Sequence, residues 1–529
     1  MISSVDVGVL DLNSEHLGID VRDLMEAAGR ALAEEIKTRL PRKRSVLIVA
    51  GSGNNGGDGL VAARYLSVWK VPVTLLLARD PSRIRTEIAR QAYMELPGDV
   101  EKLQLRSGDV QAHLKELMKG KGILVDGLLG SGAKGEPKGD YAEMIRTMNS
   151  FKGIKIAIDS PTGFGYEPSF KADLTVTFHD IKKEMMVDGV CHPDCGELIV
   201  RKIGIPDAAA TYVGPGDLLR VPQKPTASKK GETGRVLVIG GGPYTGAPSL
   251  SACAAVRTGA DLVFVAVPRG IRNVVASFSP ELIVEGLNTL DPNRLGPEVL
   301  DKLRQMIESS HSVLIGPGAG KDRATLHLLV EAFSLALSMG KPVVVDADGL
   351  TAIAELWKGE GMGGKVILTP HRGELRRLLE SFLPEEDPSV LRDPYEKTGR
   401  GGLWKKEALE VAAKLQERLG ATLLVKGPVD LMLTGDPPSL SDHVAVDLSG
   451  GKYYRRYCTT GVPAMSVGGT GDVLSGLCVG LLARGLSAFD AACVAAFVNG
   501  KAGEEAFSSV GHSLSASEVL SRVKLLPPK

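Results

Sequence analysis

The chain has 529 residues, 43% hydrophobic and 24% charged, the balance of a folded protein rather than a disordered one. A single core stops growing at roughly 250–300 residues, so two or three domains are expected. Lysine plus arginine and aspartate plus glutamate both number 63 and aromatics reach only 5%, which gives no reason to expect nucleic acid or an anionic membrane as partner.

Taken in chain order, the first clear pattern is a helix over Val21–Arg39, where Leu24, Ala28, Ala31, Leu32 and Ile36 recur at helical spacing. Strand-like apolar runs follow at 46–50, 73–78, 123–126, 154–159, 174–178 and 198–200, with helical segments such as 84–94 and 141–148 between them. Such alternation is the pattern of a parallel sheet covered on both faces, an α/β fold. Prolines and lysines then gather over 215–233, which reads as a linker and divides the chain into domains 1–220 and 221–529. The alternation restarts with runs at 235–240, 262–267, 313–315, 342–346, 366–368 and 422–425. Helices are expected at 249–258, 324–337, 471–483 and 488–507, and the polar stretch 382–403 as a surface excursion.

Six cysteines over this length do not make a disulfide framework. Cys191 and Cys195 flank His192 and Asp194, but no second CxxC or His pair completes four zinc ligands, so a loop with two free thiols is expected. The N-terminus shows no charged region followed by a long apolar run, and the apolar stretch 473–483 is too short for a bilayer. A cytoplasmic protein is the expectation.

GSGNNGGDG at 51–59 follows an apolar strand and opens a helix, whose free N–H groups suit an anion. It is neither a GxGxxG dinucleotide fingerprint nor a P-loop, since no Gly-Lys-Ser/Thr follows. Asn54, Asn55 and Asp58 add amide and carboxylate groups that a plain turn does not require. Asp126 in LVDGLLGSG and Asp159 in IAIDSPTG stand at two more strand ends, the side on which open α/β sheets bind ligands. With MEAAG at 25–29 and TFHDIKK at 177–183, these motifs over roughly 10–210 strongly resemble NAD(P)H-hydrate epimerases. The resemblance implies a Rossmann-like three-layer αβα domain. It implies hydrate contacts from Asn54, Asn55, Gly56, Gly57 and Asp58, and from a wrap of Gly130, Ser131, Gly132, Ala133, Lys134, Gly135 and Glu136. Asp159 would lie against the nicotinamide ring as the catalytic group, with Lys182 matching a family lysine. Asn55, Asp126 and Thr162 would hold potassium; the family usually has Ser at this last position, and Asn where Ala27 stands.

MSVGGTGD, ending at Asp472, sets a glycine turn and a carboxylate at a helix start. Backbone N–H groups there stabilise charge on a transferred phosphoryl group, and the carboxylate is placed to take a hydroxyl proton. With IGGGPYTGAPSL, IGPGAG, VDADGL, LTPHRGE and VKGPVD at other strand ends, residues 225–525 resemble ADP- or ATP-dependent NAD(P)H-hydrate dehydratases, whose domain is ribokinase-like αβα. The resemblance implies hydrate contacts from Ala247, Gly318 or Gly320, His371 and Asp472. It implies nucleotide contacts from Lys426, Gly427, Pro428, Val429, Asp430 and Gly471, with magnesium carried by ADP or ATP; Asp346, at a strand end, reads either as a helper to that magnesium or as an ordinary strand-end Asp. The family commonly has Thr where Asp430 stands. The expected partners are thus NADH or NADPH hydrates and ADP or ATP, in a homo-oligomer. The competing readings are a ribokinase-type kinase of a small alcohol and a first half that only binds cofactor.

Overall fold

In the computed structural model, which describes all residues except 106–107, 131, 134, 226, 228, 230, 289–296, 397–402, 449–450 and 527–529, the chain divides into two units, Met1–Asp207 and Ala208–Lys529.

The first unit holds β1 (Ser45–Ala50), β2 (Val73–Leu77), β3 (Glu101–Gln104), β4 (Lys121–Gly127), β5 (Ile154–Ile158), β6 (Leu174–Phe178), β7 (Met186–Val187), β8 (Val190–Cys191) and β9 (Glu197–Arg201). Strands β7 and β8 form a small antiparallel ribbon; the rest form one sheet, ordered β3-β2-β1-β4-β5-β6-β9 and parallel throughout. The central strands are apolar at nearly every position because both faces are covered. Val46, Ile48 and Ala50 pack with Leu32, Ile36, Leu60 and Leu66, while Leu47 and Val49 pack with Leu114, Met144 and Met148. The short ribbon of β7 and β8 escaped the sequence pattern, and so did two further elements. Strand β3 reads EKLQ, an edge strand with little to bury, and the helix Ser4–His16 is opened by a reciprocal Ser3–Asp6 cap rather than by a long apolar stripe.

The second unit holds β10 (Arg235–Ile239), β11 (Leu262–Pro268), β12 (Leu282–Leu287), β13 (Ser312–Ile315), β14 (Val343–Val345), β15 (Val366–Leu368), β16 (Thr422–Val425), β17 (Asp430–Thr434), β18 (Ala445–Leu448) and β19 (Gly451–Cys458). Their order is β12-β11-β10-β13-β14-β15-β16-β17-β19-β18, parallel as far as β16 and antiparallel beyond it. Leu237 and Ile239 join a core with Leu303, Phe333 and Leu375; Val236 and Val238 join another with Ala252, Leu477 and Val494. Each unit is therefore a three-layer αβα sandwich. No described helix is long and apolar enough to cross a membrane.

The division between units falls earlier than the linker composition implied. Residues 208–220 are held within the second unit by Arg456, 2% exposed, which donates to Ala210 O at 2.7 Å and Tyr212 O at 2.9 Å. Its guanidinium also forks onto both oxygens of the fully buried Asp217, and Val213 N–H reaches Tyr457 O at 2.9 Å. Burial opposes the charge on Asp217, but Arg456, Arg220 and the Gly214 N–H together hold its carboxyl below the usual carboxylate range. A depressed carboxyl stabilises the fold above its unfolded pKa and loses that contribution as pH falls through the folded value. Asp217→Asn is expected to destabilise the second unit by about 3–5 kcal/mol, the cost of leaving one partner of a buried pair uncompensated. Urea unfolding at neutral pH measures the loss, and the gap from the unsubstituted chain should close in acid.

Candidate active sites

In the first sheet β1 and β4 lie side by side with their connections leaving in opposite directions, and such a switch point opens a crevice at the strands' carboxyl ends. The loops leaving these strands touch backbone to backbone: Gly51 N–H donates to Gly127 O at 2.9 Å. A Cβ on Gly51 would come 1.9 Å from Leu128 O, and one on Gly56 2.1 Å from Gly51 O. The helix Asn54–Val68 starts inside this crossing, capped by Gly53 with no side-chain hydrogen bond.

A cavity of about 1130 Å³ opens here, lined by Asn54, Asn55, Asp58, Gly130, Gly132, Ala133, Gly135, Glu136, Asp159 and Lys182. Ser131 and Lys134 lie outside the described residues. Gly56 and Gly57 do not line it. Gly57 is packed under Met25, whose Cε would be 2.5 Å from an added Cβ. Ala27 is not on the wall either, though Met25 and Ala28 are.

Asp126 and Thr162 sit behind the wall, at 0% and 1% exposure. Thr162 donates through its N–H to Asp126 Oδ2 at 2.8 Å and through its hydroxyl to Oδ1 at 2.7 Å, and Leu128 N–H adds a bond of 3.2 Å. Burial nevertheless pushes Asp126 up to about 6, and no cationic side chain offsets it. The Asn55 side chain reaches the same loop at Gly130, and its buried Nδ2 has no hydrogen-bond partner. A buried carboxylate lacking a counter-charge, beside an amide and a hydroxyl, is an oxygen-rich donor set suited to one cation of low charge.

Asp159 is held in the left-handed region, φ +59°, by its N–H bond to Val176 O at 2.8 Å. Lys182, 2% exposed, pairs with Asp159 Oδ1 and is fixed by Thr177 Oγ1 at 2.8 Å and Phe178 O at 2.9 Å. Asp11, on the helix Ser4–His16, lines the same cavity; burial, then Asp159, push it up to about 6 against the pull of Lys182. Burial, Asp159 and Asp11 likewise raise Asp58 well above the carboxylate range. Three carboxyls thus surround one ammonium at this end of the cavity, and burial raises two of them, Asp11 and Asp58, above the usual carboxylate range. Asp11 was missed because its helix carries no periodic apolar signal.

The second unit repeats the crossing at its own switch point. Gly241 N–H donates to Pro317 O at 2.8 Å, and a Cβ on Gly240 would lie 2.4 Å from the same oxygen. Ala247 Cβ is 2.9 Å from the position of a Cβ on Gly318, and Gly320 N–H donates to Asp348 Oδ2 at 2.8 Å. The helix Thr470–Ala483 starts from Gly469, φ +98°, where a Cβ would meet Leu250 and Ala516 at 2.7 and 2.8 Å. No side chain caps that start. Lys426 Nζ lies over it, 3.5 Å from a Cβ on Gly471, and donates to Asp346 Oδ1 at 2.8 Å. Burial works against the Lys426 charge, but Asp346, Glu374 and Asp472 raise its pKa. Asp472 is pushed up to about 7 by burial and by Asp346 and Asp348, against Lys426. Asp430 is pushed to about 7 by burial, although Gly427 N–H donates to it at 2.9 Å. His371 caps the helix Arg372–Phe382: its Nδ1 accepts from Gly373 N–H at 3.0 Å and Glu374 N–H at 3.2 Å. Its side chain is 60% exposed, so it belongs to a loop and not to the core.

Elsewhere, Cys191 Sγ donates to Gly196 O at 3.3 Å, and burial pushes the Cys195 thiol up to about 12.

Two family models match the chain: one described as NAD(P)H-hydrate dehydratase over residues 236–524, the other as YjeF-related protein N-terminus over 21–184. The bifunctional NAD(P)H-hydrate repair enzyme of Hyperthermus butylicus is 38% identical, covering 99% of this chain and 91% of its own length. That of Methanothermobacter thermautotrophicus is 36% identical over 99% and 94%. Among solved structures, a ribokinase-like protein from Enterococcus faecalis covers 59% of this chain and 93% of its own, with 22% identity and a TM-score of 0.45. The ADP/ATP-dependent NAD(P)H-hydrate dehydratase of Bacillus subtilis, co-crystallised with ATP and Mg2+, covers 58% and 94%, with 22% identity and a TM-score of 0.43. From these matches along nearly its whole length, the chain belongs to the family of bifunctional NAD(P)H-hydrate repair enzymes.

Proposed function

We propose that the first unit interconverts the two epimers of hydrated NADH or NADPH, and that the second dehydrates one of them using ADP or ATP. The observation that carries the reading is Asp472, a carboxyl raised to about 7, at an uncapped helix start under the Lys426 ammonium. The hydrate bears a hydroxyl on a ring carbon beside nitrogen. Asp472 takes the proton of that hydroxyl as its oxygen attacks the terminal phosphorus of the nucleotide and the phosphoanhydride bond breaks. The helix N–H groups and Lys426 receive the charge that develops on the phosphoryl oxygens. Loss of phosphate, with a proton from the neighbouring carbon, restores the dihydropyridine.

Lys426, Gly427, Pro428, Val429, Asp430 and Gly471 hold the nucleotide, and Ala247, Gly318, Gly320 and His371 border the hydrate. Asp346 already binds Lys426, so its task is to hold that ammonium in place. Magnesium would be carried in by the nucleotide's phosphates, whose charge it neutralises when bound.

In the first unit Asp159 and Lys182 act on the hydrated ring, with Asp58 and Asp11 sharing protons. Potassium fits Asn55, Asp126 and Thr162 because Asp126 is buried without a counter-charge. Bound there, it would brace the loops of β1 and β4 from behind.

Asp472→Asn is expected to cut dehydration by about two to four decades while nucleotide binding persists, as for loss of a general base. In the unsubstituted chain the rate should rise with pH through about 7 as Asp472 ionises, and a flat profile would remove it as the base. Asp159→Ala is expected to stop epimerisation only: given mixed epimers and nucleotide, the variant should consume its usable epimer and stall. Loss of both epimers at the original rates would overturn the assignment. Potassium should raise the melting temperature of the unsubstituted chain above that in a bulky organic cation, by mass action on the folded state. An equal rise in Asp126→Ala would place the ion elsewhere.

A further inference from the structure

The walls of the 1130 Å³ cavity differ in charge along the edge of the sheet. Asp159 follows β5, and Asp11, Asp58 and Lys182 are its electrostatic neighbours. Arg79, Arg83 and Arg85 line the cavity just after β2, and none of them contributes to the shifts of Asp11 or Asp58. Strands β2 and β5 are three places apart in the sheet, or about 14 Å at roughly 4.8 Å per step. Between them lie the glycine loops of β1 and β4 and the uncapped start of the helix Asn54–Val68.

A dinucleotide hydrate is uncharged at its reduced ring and anionic in the middle, so its polarity follows the cavity. With the ring at Asp159, the pyrophosphate falls at the helix start, where free N–H groups receive it. The adenosine end then falls beyond β2. In sheets of this order the second strand's end is where a carboxylate meets the ribose 2′-hydroxyl, or an arginine the 2′-phosphate. Asp80 stands there but does not line the cavity; its Oδ1 is taken by Ser82 N–H at 2.9 Å and Ser82 Oγ at 2.6 Å. Arg79 stacks over Tyr141, 5.5 Å from the ring centre, with Asp140 at 3.9 Å. Arg83 and Arg85 are exposed and form no salt bridge within 4 Å among the described residues, although Arg83, after the Ser82 hydrogen bonds, helps lower Asp80, and Arg85 N–H ties their turn to Ser52 O at 2.8 Å. Beside them the Thr86 hydroxyl is buried without a hydrogen-bond partner.

We infer that Arg83 and Arg85, with Arg79 beside them, bind the 2′-phosphate of hydrated NADPH and make the phosphorylated hydrate the preferred substrate of the first unit. A phosphate monoester adds about 1.5–2 negative charges at pH 7 and three acceptor oxygens, which the forked guanidinium groups match. The arginines position and select; they do not touch the reacting ring.

The inference rests on the epimerase reading, and the test separates the two. Epimerisation of NADPH hydrate and NADH hydrate is followed by chromatography with the full chain and no nucleotide, which keeps the second unit silent. The unsubstituted protein should favour NADPH hydrate in kcat/KM. The double variant Arg83→Ala, Arg85→Ala should lose about tenfold or more on NADPH hydrate and less than about threefold on NADH hydrate, the asymmetry expected of a lost charged contact. Equal losses on both substrates, or none, would overturn the inference. Failure of the epimerase reading itself would appear as no interconversion of either hydrate by the unsubstituted protein. Binding of NADP+ and NAD+ then decides: the substitutions must weaken the first alone.

Discussion

Both units depend on two strand-end loops meeting at backbone distance. Where β1 faces β4, and again where β10 faces β13, a carbonyl oxygen occupies the place of a side chain. A Cβ would stand 1.9 Å from Leu128 O in one crossing and 2.4 Å from Pro317 O in the other. Only glycine permits that approach. In the first unit, closure lets the helix Asn54–Val68 begin within the crossing itself. In the second, it brings Ala247 against Gly318 and sets Gly320 on Asp348. The glycines are thus conditions for the sites' shape before any ligand enters.

The sites also share an electrical plan. In each, carboxyls outnumber the ammonium set among them, and burial keeps part of the group protonated. Lys182 serves Asp159, Asp58 and Asp11; Lys426 serves Asp346 and Asp472. Water would screen such a cluster into ordinary carboxylates, and its removal separates their proton affinities. The low dielectric that makes an unpaired charge costly also raises Asp11, Asp58 and Asp472 above the usual carboxylate range.

Much of this was legible in the sequence because the relevant signals are local. A glycine-rich turn between an apolar run and a helix reveals a strand end, so Asn55, Asp126, Asp159 and Asp472 stood out. What stayed hidden depends on partners distant in the chain. Asp11 meets Asp159 only because the first helix reaches the wall of the cavity, and Arg456 meets Asp217 across 239 positions. Strands β17 and β19 are paired with each other at the sheet's antiparallel end, and polar residues such as Arg455 and Arg456 interrupt their apolar pattern. The composition of 215–233 did look like a linker, yet hydrogen bonding assigns its first residues to the second unit.

The Asp217–Arg456 pair sets the terms on which the two enzymatic halves could be inherited apart. A gene split after residue 220 would leave the counter-ion of Arg456 on the wrong fragment, and the second half would fold around a lone buried guanidinium. A split at 207 keeps the pair together. A seam at which the two halves could be cut apart is therefore marked by an ion pair, not by the prolines that follow it.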